Sequence, residues 1–133
     1  MMIETLNTVA IVVAGLMVGS ELAIAAFVHP TLKTLPDNVH LPAASALARL
    51  LGRVMPFWYI LTFLLTLAES VMRWRQFGGV PLWTAASAIL WLAASVYSIT
   101  ALVPINNHIA SWATVPAPAD WKVYRRRWEL LHR

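Results

Sequence analysis

The sequence predicts an all-α, polytopic transmembrane helical bundle, and three observations predict it. Apolar residues make up 59% of the 133-residue chain, more than a soluble domain of this size has interior to hide. Mean hydropathy is +0.66. The few charged residues (12%) fall mostly outside three long apolar stretches, about 6–28, 54–72 and 82–103. A hydrocarbon core of about 30 Å takes about 20 helical residues to cross, and helices satisfy their own backbone groups in lipid. The stretches are too long, and alternate too little, for barrel strands. One transmembrane domain, 1–133, accounts for the chain, without an internal repeat.

The first stretch reads as a span and not as a secretory leader. Its flank, Met1 to Asn7, has no basic residue and carries Glu4, and Glu21 lies inside the apolar run. Gly15, Gly19 and Ala23 recur every four residues, a small-residue stripe suited to close helix approach. This stripe predicts a central position for the first helix. Pro30 disfavours helix at the residue before it, so His29 is expected at a cap near the interface. A proline-punctuated loop, His29 to Pro42, should come next, with His40 in it and no role assigned.

Ala43 to Pro56 then reads as helix, with Arg49 and Arg53 sharing a face that suits lipid headgroups. The second span ends near Glu69, which is four residues from Arg73 and positioned to pair with it. Arg73 to Pro81 forms a tight turn on Gly78 and Gly79. Pro104 ends or kinks the third span. Its missing N–H, and the carbonyls it leaves without partners, give the neighbouring asparagines capping work. Asn106, Asn107 and His108 together exceed what a cap needs, and amides suit a ligand's carbonyl or phenolic oxygen. Trp121, Tyr124, Trp128 and Leu131 make an apolar stripe on a helix over 120–133, with Asp120 as N-cap. That helix either lies on the leaflet or opens a fourth span beyond Arg133; the fourth span is the expectation.

Charge sets the orientation. Lys33, Arg49, Arg53, Lys122, Arg125, Arg126, Arg127 and Arg133 share one side, against Arg73 and Arg75 on the other. The positive-inside rule puts the N-terminus outside and the basic loops in the cytoplasm; a bacterial inner membrane is the expected location. Six of the tryptophans, Trp58, Trp74, Trp83, Trp112, Trp121 and Trp128, suit the interfaces, and Trp91 the bundle. With no cysteine, disulfides and thiolate chemistry are excluded, and nothing points to nucleic acid.

Glu21 carries the most information. A carboxylate about 12 Å inside a span is costly in lipid, so it faces the interior, either as a functional group or as a hydrogen bond between helices. His29, His108 and His132 with Glu21 make iron, copper or haem conceivable, but no dense ligand spacing exists, so no metal ligands are assigned.

The segments GSELAIAAFVHPTL, VPINNHIASW and DWKVYRRRWELLHR, with their spacing around the spans, resemble the small membrane proteins grouped with the fungal anthrone oxygenases. The resemblance covers essentially the whole chain. It implies four spans, and it falls on Glu21, His29, Pro104 to Asn107, Arg127, Trp128 and His132. It implies a membrane oxygenase or oxidoreductase that uses oxygen on an apolar aromatic, anthrone- or quinone-like compound, with no cofactor required. Glu21 or His29 would be the base, and Asn107 with an arginine would steady the anion. Asn106, His108, Arg127, Trp128 and His132 would bind the substrate in an apolar cavity. The contrasting reading is a non-catalytic accessory subunit held by lipid, a homo-oligomer or a membrane partner.

Because the chain has no cysteine, any introduced cysteine is a unique label. In intact cells, Gln76→Cys is expected to react with an impermeant maleimide. Asn38→Cys is expected to react only after permeabilisation; the reverse pattern would invert the topology.

Overall fold

The structure is a computed structural model and describes residues 1–132. Arg133, counted above on the basic side, lies outside the described residues. Among these residues there are helices and no strands. Three helices are long and apolar enough to span a membrane: Met2–Lys33, Asp37–Phe77 and Leu82–Ala113.

The first span runs as α1 (Met2–Ala23), a single π-helical turn (Ile24–Val28) and α2 (His29–Lys33). The second is one continuous helix, α3 (Asp37–Phe77). The third runs as α4 (Leu82–Tyr97), a π turn (Ser98–Leu102), α5 (Val103–Ala110) and a short 3₁₀ turn, Ser111–Ala113. A last helix, α6 (Trp121–Leu131), completes the described chain. The first and third spans are thus interrupted in the same way. In each a proline, Pro30 or Pro104, is the second residue after the π turn. Proline offers no N–H and its ring crowds the carbonyl four residues back. A wider turn relieves that crowding while the chain stays helical. Pro30 therefore does not cap the first helix, and His29 is buried in mid-helix instead of sitting at an interface.

The expected loop over 29–42 shrinks to the turn at Thr34–Pro36. Lys33 is still helical, and α3 begins at Asp37. His40 thus lies in a helix, and it is buried. Its Nδ1–H donates to the Leu32 carbonyl at 2.7 Å, tying α3 back onto α2. Helix α3 has 41 residues, about 60 Å, or roughly twice a hydrocarbon core. Its early turns, with Arg49 and Arg53, therefore extend past the apolar layer. At its other end Gly78 adopts φ +70°, the left-handed cap that glycine takes without strain.

The central helix is α3 and not the first. It packs against α1 on one side and against α4 and α5 on the other. Gly15, Gly19 and Ala23 are not buried against a neighbour, and the space a side chain would occupy at either glycine is open. The close approach occurs at Gly52 of α3, where an added Cβ would lie 3.2 Å from Asn106 Cβ.

The core gathers at the basic end. Met17, Ile24, Leu51, Met55, Ile109 and Trp128 are among its buried members. Helix α6 packs on the third span. Trp121 sits beside His40 and Trp112, while Tyr97 O–H donates to the Leu131 carbonyl at 3.0 Å. The helix therefore climbs back alongside the third span. Its predicted stripe faces inward: Trp128 is fully buried, and Tyr124 and Leu131 pack on the core. Trp128 is thus a core residue and not an interfacial anchor. Asp120 precedes α6 but makes no side-chain cap.

Filling the close approach tests this packing. Gly52→Val is expected to cost about 1–3 kcal/mol, read as unfolding in detergent. Gly19→Val, facing open space, should stay within about 0.5 kcal/mol. Equal losses at both positions would contradict the helix arrangement.

Candidate functional site

The residues singled out by sequence fall into a buried cluster, a groove beside it, and two separate positions. The cluster is built where α2, α5 and α6 converge. Asn106 is buried, and its Oδ1 accepts the Trp128 Nε1–H at 2.7 Å. Asn106 is therefore neither a helix cap nor an open ligand contact. His29 meets Trp128 edge-to-face, with ring centroids 4.6 Å apart. His132 lies 5.6 Å from both rings, and its Nδ1–H donates to the Trp128 carbonyl at 2.8 Å. Asn106, His29, Trp128 and His132 thus form one packed unit.

A charged group that sequence reasoning missed borders this unit. Glu129 is 5% exposed. Lys33 Nζ lies 2.7 Å from its Oε2, and Arg125 Nε lies 3.8 Å from Oε1. An unpaired carboxylate at this depth would be strongly destabilising, so the pairs fix Glu129 and lock α6 to α2. The available signal was small: Glu129 is the only acid within α6, four residues after Arg125.

The groove lies between the third span and α6 and encloses about 310 Å³. His108, Tyr124 and Arg127 supply its polar and aromatic lining, with Ala101, Ile105 and Leu131 on its apolar side. The His108 and Tyr124 ring centroids are 4.4 Å apart. His108 and Arg127 are both exposed, so the imidazole and guanidinium are open to an incoming molecule. The volume sits at the lower end of the range for small-ligand sites, about 300–1,000 Å³.

The remaining two candidates stand apart. Glu21 Oε1 accepts the Tyr59 O–H at 2.8 Å, joining α1 to α3. Tyr59 in turn packs near Trp91, ring centroids 6.1 Å apart. Asn107 is exposed, with its Oδ1 beside Gly52. Neither lines the groove. Among the described residues, no group of three or more His, Asp or Glu is arranged to hold a metal ion.

The Asn106–Trp128 bond can be measured as a coupling. Asn106→Ala orphans a buried indole N–H and is expected to cost about 1–3 kcal/mol. Trp128→Phe, which orphans the amide, should be no cheaper. The double variant should lose less than the sum of the two in detergent unfolding, and strict additivity would mean that the bond carries no net stability.

Compared with known proteins, the chain matches no family model, no curated protein and no solved structure.

Proposed function

We propose that this is a membrane-embedded oxygenase or oxidoreductase acting on an apolar aromatic compound of the anthrone or quinone type. One observation carries the reading: His108, Tyr124 and Arg127 line one groove between two helices of the bundle. A flat, lipid-soluble ring would enter from the bilayer and stack on Tyr124. His108 would take a proton from the carbon para to the carbonyl-bearing one, across the central ring. Arg127 would steady the negative oxygen that results. The anion would then pass electrons to molecular oxygen. One oxygen atom ends as the new carbonyl and the other as water, which balances the loss of two hydrogens from carbon. In this reading the acid–base role belongs to His108, not to Glu21 or His29, which lie outside the groove. The basic end faces the cytoplasm of a bacterial cell.

A second reading, a non-catalytic accessory subunit, is favoured by a different observation. Several polar side chains satisfy one another: Glu21 with Tyr59, Asn106 with Trp128 and Glu129 with Lys33. That pattern is what helix-to-helix adhesion requires.

The test is anthrone oxidation by the purified protein in nanodiscs under oxygen, read by quinone absorbance. His108→Ala is expected to lower turnover about a hundredfold or more, and Arg127→Ala about tenfold or more. Glu21→Gln should leave turnover near wild type. An active wild type with an unaffected His108→Ala would reject the groove as the site. An inactive wild type on both anthrone and quinol substrates would leave the accessory reading.

A further inference from the structure

We propose that the cavity at the opposite end of the bundle holds the headgroup of a phosphatidylethanolamine-type lipid, with its primary ammonium on Glu69 and its phosphate on Arg73. The cavity, about 270 Å³, lies where α1, α3 and α4 meet, and Asn7, Thr66, Glu69, Arg73, Ser87 and Trp91 are among its lining residues. Among the described residues, three helices meet at this end and leave polar side chains facing the space between them.

The lining selects the ligand. Glu69 is 5% exposed, and Arg73 Nε and Nη2 lie 2.8 and 2.7 Å from a single oxygen, Oε1. The carboxylate and the guanidinium both line the cavity. Two of the hydroxyl protons nearby are already committed: Thr66 shares its one proton between the Thr62 and Phe63 carbonyls, and Ser87 donates to the Trp83 carbonyl. Their oxygens can only accept from a ligand. The cavity therefore presents acceptors from Glu69, Thr66 and Ser87, which match the three N–H donors of a primary ammonium. A trimethylated amine has none to give.

Depth matches the order of groups along the lipid. The Glu69 side chain is 7% exposed and that of Arg73 is 25% exposed, so the carboxylate is deep and the guanidinium nearer the mouth. In the lipid, phosphate adjoins the glycerol that must stay outside, and the amine is at the tip. Trp83 and Trp74 are 82% and 62% exposed at the same end, where amphipathic rings sit at headgroup level.

The experiment is native mass spectrometry of the delipidated, full-length protein in detergent. It is titrated with phosphatidylethanolamine, its mono- and dimethyl forms and phosphatidylcholine, all of one acyl composition, and with phosphatidylglycerol. Wild-type affinity should fall stepwise with methylation. Phosphatidylethanolamine should bind about tenfold tighter than phosphatidylcholine, the ratio that one charge-assisted hydrogen bond carries. Glu69→Gln, which removes the charge but keeps an acceptor, should bind phosphatidylethanolamine more weakly and flatten the gradient. If that variant does not fold, Ser87→Ala should narrow the same gradient without removing a charge. Equal wild-type binding across the methylation series, or tightest binding of phosphatidylglycerol, would overturn the proposal.

Discussion

The hydrogen bond from Trp128 to Asn106 is the contact on which the basic end is assembled. It is made between two fully enclosed side chains, where neither group could fall back on water. Asn106 can reach it only because the third span stays helical past Pro104, and because Gly52 lets that span approach α3 closely. Trp128 can reach it only because α6 turns back along the bundle. His29 and His132 then pack on the indole. Glu129, the next residue, is carried into position beside Lys33. One polar contact thus aligns four helical segments, and the groove containing His108 and Arg127 is the space left beside it.

The class of fold was legible because it depends on length and hydropathy, and these are properties of a sequence taken alone. The Glu69–Arg73 pair and the inward stripe of α6 were legible for a similar reason, since both are fixed by helical spacing within one element. The burial of Glu129 was not, because it depends on Lys33, which is far away in the chain. Small-residue spacing in α1 misled for a related reason. Gly15 and Gly19 announce a face that permits contact, but they do not say whether a neighbour comes. Gly52, with no repeat around it, is where the close approach occurs. Proline misled in a third way: read as a terminator, Pro30 broke a helix that in fact widens by one turn and continues, burying His29. The catalytic and substrate-binding roles expected of the polar residues rested on their types, and residue type does not show which of them share a space. Only His108 and Arg127 of that set line the groove.

The two ends of the bundle solve the problem of polar groups in lipid differently. At the basic end a fourth element, α6, covers them, and charge is paired between elements far apart in sequence. At the other end the ion pair lies within α3 itself, four residues apart, and the Thr66 and Ser87 hydroxyls are returned to their own helix backbones. The first arrangement depends on tertiary packing. The second survives small shifts between helices, and so tolerates a cavity.

The paired π turns have a further consequence for how this chain can vary. A π turn closes its ring over one more residue than an α turn, so each behaves as a single-residue insertion absorbed within a span. Removing one residue from Ile24–Val28 would restore the regular winding and leave the helices on either side nearly in their present phase, because five residues of the wide turn and four of an α turn sweep almost the same angle, about 400°. Glu21 would stay beside Tyr59 and His29 against Trp128. The same deletion in Ser98–Leu102 would keep Trp91 near Tyr59 and Asn106 on Trp128. Each π turn is thus a place where a span can lose a residue without disturbing the contacts on either side, at the cost of restoring the crowding between the proline ring and a carbonyl.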